Sequence, residues 1–203
     1  MHLRLTMITA DPLRLDEGLT FIEEEARPLV EGEPGNLGLS LKADKELGVA
    51  LVESFWVSAD AMRESDRNVR STREQASHRI DGTVTVETLQ VASVTRIAPW
   101  NAGAGVRLMR ADADAARLDQ VVAAHEDTAV PWLTETEGFC GALLLAHRRT
   151  GHLVEETLWS DGEALAGSRS VASAIRVDAV KATDEVVRVL AEYTLIFNSA
   201  RPA

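Results

Sequence analysis

The chain is 203 residues long, 45% hydrophobic and 26% charged, enough for one large globular domain or two small ones. A formal net charge of −11 speaks against nucleic acid or an anionic membrane as partner, because phosphates would be repelled. The longest apolar runs fall well short of the ~20 residues that span a bilayer. The opening MHLRLTMITADPLRL lacks a secretory pattern, and a single cysteine, Cys140, excludes an internal disulfide. Together these predict a cytoplasmic protein in which Cys140 is a small buried hydrophobe.

In chain order, His2 to Thr9 reads as a strand. Asp11 or Pro12 opens a helix with the apolar stripe Leu15, Leu19, Ile22, Ala26, Leu29, whose four-three-four-three spacing only a helix gathers on one face. EGEPG, ending at Gly35, closes it, and the run Glu23-Glu24-Glu25 is a solvated face. Asn36 to Lys42 and Val49 to Trp56 form a hairpin around the polar turn Asp44 to Gly48. A second helix is predicted from an N-cap at Ser58 to about Ser77. After Asp81-Gly82 the strand Thr83 to Val94 completes a βαββαβ unit, the ferredoxin-like arrangement of one antiparallel sheet with both helices on one face.

The same text then returns. GVALVESFWVSADAMRES at Gly48 is answered by GHLVEETLWSDGEALAGS at Gly151, a constant offset of 103 positions that pairs Trp56 with Trp159 and Ser65 with Ser168. The offset aligns Arg4–Val94 with Arg107–Phe197 without a gap, with roughly a quarter of the positions identical, as in a diverged duplication. The expected organisation is a first unit over residues 1–94, a Pro- and Gly-containing linker over 95–105 and a second unit over 106–203. A lone unit leaves one apolar sheet face bare, so the expected α+β architecture has the two sheets packed on each other.

The junction of third strand and second helix, Trp followed by Ser or Asp, then Asp-Ala-Met or Glu-Ala-Leu, then Ser, resembles that of the antibiotic-biosynthesis-monooxygenase-like family of dimeric α/β barrels, once per half. The resemblance implies a barrel usually built from two chains and fused here into one, so a monomeric pseudo-dimer or a homodimer of it. It also implies a sheet–helix cleft lined by Trp56 and Trp159, and either cofactor-independent oxygenation of aromatic compounds or haem degradation. Haem degradation is disfavoured: where such relatives carry an iron-ligating His, this chain has Ser65 and Ser168, which offer no imidazole nitrogen. No cofactor is expected, and no His, Asp and Glu residues cluster at metal-ligand spacing.

Differences between the halves nominate further residues. The inward edge of the second helix reads Ser65, Asn68, Thr72 in the first half and Ser168, Val171, Ile175 in the second. Conversely, Ile22, Leu29 and Asn36 become His125, Trp132 and Phe139. The two clefts should therefore differ, a small polar one near Trp56 and an aromatic one near Trp159, Trp132 and His125. As an enzyme, the protein would use Trp56, Asn68, His125 and Trp159 at the reacting centre and Ser65, Thr72, Trp132, Phe139 and Ser168 against the substrate. The alternative is a barrel that sequesters a small hydrophobic or aromatic molecule without turning it over. Glu53 and Glu156 should face away from the tryptophans and meet Arg4 and Arg107 there, as an acid–base set or as an ion-pair network fixing sheet register.

Overall fold

A computed structural model describes residues 1–201. The first series of elements is β1 (His2–Thr9), α1 (Leu15–Phe21), a π-helical turn Ile22–Ala26, α2 (Arg27–Glu31), β2 (Asn36–Asp44), β3 (Val49–Trp56), α3 (Ala59–Arg79) and β4 (Thr83–Arg96). The second is β5 (Gly105–Asp112), α4 (Leu118–Ala124), a π-helical turn His125–Ala129, α5 (Val130–Thr134), β6 (Phe139–His147), β7 (His152–Trp159), α6 (Gly162–Gly167), α7 (Arg169–Thr183) and β8 (Val186–Asn198). The fold is α+β, two ferredoxin-like βαββαβ series whose strands hydrogen-bond in the order β1-β3-β2-β8-β5-β7-β6-β4 and close as a barrel.

Compact packing divides the chain into Met1–Leu89 with the segment from Ile196, and Gln90–Leu195. The fourth strand of the first series thus continues into the second unit, where its Gln90–Arg96 part pairs with β6. The segment after it is packed rather than loose. Trp100 is buried, donates its indole N–H to the Cys140 carbonyl at 3.3 Å, and shares a core with Val106, buried Cys140 and Leu158.

The 103-residue offset holds element by element from β1 against β5 to β3 against β7. It extends to special backbone sites, with Gly48 and Gly151 at φ +68 and +78 and Asp81 and Asp184 at +50 and +58. The glycines are required by close approach: a Cβ would stand 2.1 Å from the Ala10 carbonyl oxygen at Gly48 and 1.9 Å from that of Ala113 at Gly151. Each glycine carbonyl in turn accepts the N–H of that alanine at 2.9 Å, pinning the hairpin turn to the end of the first strand of its unit.

The stripe on the first helix holds through Ala26 and then fails: Leu15, Leu19, Ile22 and Ala26 are buried, whereas Leu29 is 60% exposed. The π-helical turn is the cause. It adds one residue to a turn, so the inward position moves from Leu29 to Val30, which packs on the core. The second unit repeats the shift, with Leu133 buried and Trp132 54% exposed.

Strand register corrects the expected meeting of Glu53 and Glu156 with Arg4 and Arg107. Arg4 lies opposite Ser54 and Arg107 opposite Thr157, so both arginines share the helix-covered face with the tryptophans. Glu53 lies opposite Leu5 and Ser40 on the other face, where its carboxylate meets Lys42 Nζ at 2.5 Å, both side chains almost wholly buried. The counterpart of Lys42 in the second unit is Leu145.

Candidate functional site

The motif serines serve a clamp. Ser58 caps α3 by accepting the Ala61 N–H at 3.1 Å, and Asp161 caps α6 by accepting that of Ala164 at 2.8 Å. These caps fix where Ser65 and Ser168 fall, a turn and a half to two turns on. Arg4 reaches from β1 to donate to Ser65 Oγ at 3.2 Å and to the Met62 carbonyl. Arg107 does the same to Ser168 Oγ at 2.9 Å and the Leu165 carbonyl at 2.8 Å. Each serine passes its own hydrogen to that same carbonyl, at 2.8 and 2.7 Å. Hydrogen bonds to a charged group contribute about 1.5–3 kcal/mol each, so the motif is a strand-to-helix fastening. A haem iron does not fit there, since both hydroxyls are buried and already engaged by a cation.

The two motif tryptophans are core side chains with no exposed surface. Trp56 donates its indole N–H to Ser54 Oγ at 3.0 Å and lies 5.4 Å from the Arg4 guanidinium. Trp159 donates to Thr157 Oγ1 at 3.1 Å and meets Phe139 edge-on at 5.4 Å. Thr72 is buried in α3, on the face formed by Met62, Ser65, Val69 and Ala76. Asn68 is exposed and bonded to Glu33 at 3.0 Å, because Val69 rather than Asn68 continues that stripe.

His125 lies in the second unit's π-helical turn and Trp132 in α5 just beyond it, on the linings of two neighbouring cavities. An apolar cavity of about 250 Å³ opens between that turn and α7, lined by Ala124, Thr128, Trp132, Ile175, Ala179 and Ala182 among others. Ala124, Ala129 and Ala179 also wall a smaller inner cavity of about 30 Å³, lined by His125, Glu155, Thr183 and Glu185. That volume suits a single water or a small polar group. His125 is 6% exposed; its Nδ1 stands 3.3 Å from Glu155 Oε1, while its Nε2 is buried with no hydrogen-bond partner. Burial pushes the Glu185 carboxyl up to about 6, the Glu155 charge adds to this, and His125 opposes it.

Glu155 and Glu185 escape the sequence reading, although a signal exists. At the 103 offset His125, Glu155 and Glu185 replace Ile22, Val52 and Gly82, so three ionisable groups stand where the first unit has none. Neighbouring Glu156, singled out instead, projects from the other sheet face, opposite Leu108 and Leu143.

No family model matches the chain. Two uncharacterized proteins of Mycobacterium tuberculosis are similar, one 26% identical over 89% of this chain and 81% of its own length, the other 28% identical over 96% and 83%. Among solved structures, a candidate monooxygenase of Fusobacterium nucleatum superposes with TM-score 0.71 at 12% identity, over 98% of this chain and 94% of that one. An anthrone oxidase-like protein gives 0.68 at 13% identity, over 97% and 92%. A ferredoxin-fold protein of Listeria monocytogenes related to antibiotic biosynthesis monooxygenases gives 0.53 at 8%, over 97% and 96%. In fold, therefore, the chain is similar to solved proteins related to antibiotic biosynthesis monooxygenases, with two ferredoxin-like units on one polypeptide.

Proposed function

We propose that the second unit's sheet–helix cleft binds a flat aromatic molecule and that the protein oxygenates it without a cofactor. The observation that carries this reading is the buried imidazole of His125 on the wall of the inner cavity: a carboxylate stands 3.3 Å from one ring nitrogen and the other is buried without a hydrogen-bond partner. The Glu155 carboxylate beside Nδ1 favours the proton on that nitrogen and leaves Nε2 as the proton acceptor, the orientation logic of a general base. Trp132, exposed at the mouth, stacks on the substrate, and the alanines beneath leave room for a ring system. The fold likeness to monooxygenases and to an anthrone oxidase-like protein agrees with this choice of chemistry.

The reaction needs an activated methylene flanked by electron-withdrawing rings. His125 Nε2 takes one proton through a water in the inner cavity, and the carbon keeps the electron pair as a delocalised anion. The anion passes one electron to dioxygen and the radical pair joins through a new C–O bond. The resulting peroxide takes a proton, and loss of water breaks the O–O bond and the second C–H bond. The net change is R₂CH₂ + O₂ → R₂C=O + H₂O. The protein's part is to bind, orient and handle protons; Glu185, with its carboxyl near 6, exchanges protons between the inner cavity and the base.

The test is oxygen uptake and quinone formation with anthrone as probe substrate. His125→Leu is expected to lower kcat/KM by roughly 10²–10⁴-fold, the usual contribution of a general base, while tryptophan-fluorescence quenching by anthrone persists. Quenching without oxygen uptake in the unmodified protein would replace the oxygenase by a non-enzymatic binding protein using the same cleft.

A further inference from the structure

The first unit holds a larger groove that the cleft chemistry does not use. It measures about 990 Å³ and runs between α3 and β4; Arg4, Asp66, Arg70 and Arg73 occupy one wall, and Met62, Val84 and Val86 supply apolar surface. Its charges do not balance. The single carboxylate of Asp66 serves three guanidiniums: Arg73, Arg70 at 3.2 Å and Arg4 at 3.7 Å. Burial drives the Asp66 carboxyl upward, and Arg73, Arg70 and Arg4 together draw it below its ordinary value. Arg63 answers to Asp60, and Glu74 and Asp81 sit exposed on the groove's lining with no ion pair to Arg4 or Arg73. Arg4 is itself lowered to about 10 by burial and then by the neighbouring Arg73 charge, with Asp66 opposing. Arg73 keeps one buried guanidinium nitrogen, Nη1, with no hydrogen-bond partner. An unsatisfied buried donor on a charged group is costly unless something accepts from it.

The second unit supplies what is missing. There Arg107 and Arg176 stand for Arg4 and Arg73, Arg169 stands where the first unit has Asp66, and two acids lie nearby: Glu192 bonds Arg107 at 2.8 Å and Arg169 at 2.6 Å, and Glu155 lines one pocket with Arg176. In the first unit the positions of Glu192 and Glu155 are Leu89 and Val52. We propose that the groove of the first unit binds a small organic carboxylate, the carboxylate accepting from Arg73 Nη1 and the body lying on Met62, Val84 and Val86. A planar guanidinium fork matches a carboxylate, and the apolar wall selects an organic anion over an inorganic one. This site is separate from the His125 cleft and does not depend on the chemistry proposed there.

Isothermal titration of the full chain with 2-naphthoate, its methyl ester and inorganic phosphate tests the assignment. Saturable one-to-one binding of naphthoate is expected, with the ester and phosphate at least tenfold weaker. Arg73→Gln should weaken naphthoate at least tenfold and Arg73→Lys by an intermediate factor, since lysine keeps the charge and loses the fork. All titrations start from Ala124→Phe, whose new side chain fills the second unit's cavity, and Arg176→Gln in that background should change nothing. Equal binding of the ester or of phosphate, indifference to Arg73→Gln, or equal loss in Arg176→Gln would overturn the proposal. Should Arg73→Gln unfold, Arg73→Lys together with naphthoate-induced shifts of the Arg73 and Arg4 side-chain NMR signals decides the matter.

Discussion

The two units use one scaffold and fill its sheet–helix space in opposite ways. In the first, Phe21 stacks with Arg79 at 4.4 Å and Ile22 and Ile80 close the space beneath. Gly18 makes room for that plug: a Cβ there would meet two Ile80 carbons at 3.0 Å. In the second unit the same five positions hold Ala124, Ala182, His125, Thr183 and Val121. Two alanines replace the stack, a cavity opens, and an imidazole stands where an isoleucine was. Below that level the relation reverses, with acids satisfying the second unit's arginines and leaving the first unit's short of partners. Where open space forms in each unit is therefore decided by a handful of side chains at the helix–sheet seam, while the Arg–Ser clamp and the hairpin glycines stay the same in both units.

The largest expected effect lies on the other sheet face, where Lys42 of the first unit answers to Leu145 of the second. Lys42→Met leaves the Glu53 carboxylate buried without its Lys42 partner, and removal of one member of a buried pair costs about 3–5 kcal/mol. Leu145→Met, the matched change in the second unit, swaps one apolar side chain for another and should cost less than about 1.5 kcal/mol. Urea denaturation of the two variants checks the contrast. Equal losses would mean that the Lys42–Glu53 pair adds nothing beyond packing.

How far the sequence carried this picture depends on which period each feature obeys. The repeat, the element order and the Ser58 cap were legible, because local propensity and self-similarity encode them. The π-helical turn was not: nothing in IEEEA or HEDTA marks an extra residue per turn, so Leu29 was expected to face inward and Trp132 owes its exposure to the same slip. Strand register was hidden too. Alternation along β3 correctly opposes Glu53 to Trp56, but only the pairing of Arg4 with Ser54 tells that Arg4 sides with the tryptophan. Of the candidate site, His125 and Trp132 emerged from comparing the halves. Extending that comparison to every ionisable replacement on a helix-facing position would have added Glu155 and Glu185.

Copying the first unit's plug into the second sharpens the comparison at the seam. Ala124→Phe with Ala182→Arg should rebuild the aromatic–guanidinium stack across the 250 Å³ cavity. The expected result is at least a tenfold loss of aromatic-ligand affinity by tryptophan quenching, with thermal stability unchanged or raised because the new side chains enter open space. Retained affinity would move the binding site away from Trp132 and away from the π-helical turn.

The smallest effect isolates one proton. The carboxyl of Glu185, pushed up to about 6 by burial and by Glu155 against the opposing influence of His125, sits above the ordinary glutamate value of 4.5. Between those values the folded protein binds more protons than the unfolded chain, so stability falls as pH rises through this window and levels off above it. Glu185→Gln removes that titration. The stability difference between unmodified protein and variant should be constant below pH 4.5, shift in favour of the variant between about pH 4.5 and 6.5, and stay constant beyond. Its size has a ceiling of about 2 kcal/mol, lowered by whatever solvent reaches the carboxylate. The matched position in the first unit, Gly82, has no side chain to ionise, so this pH window belongs to the second unit. A difference that moved instead around pH 4.5 alone would place Glu185 in ordinary solvent and remove it from the proton path to His125.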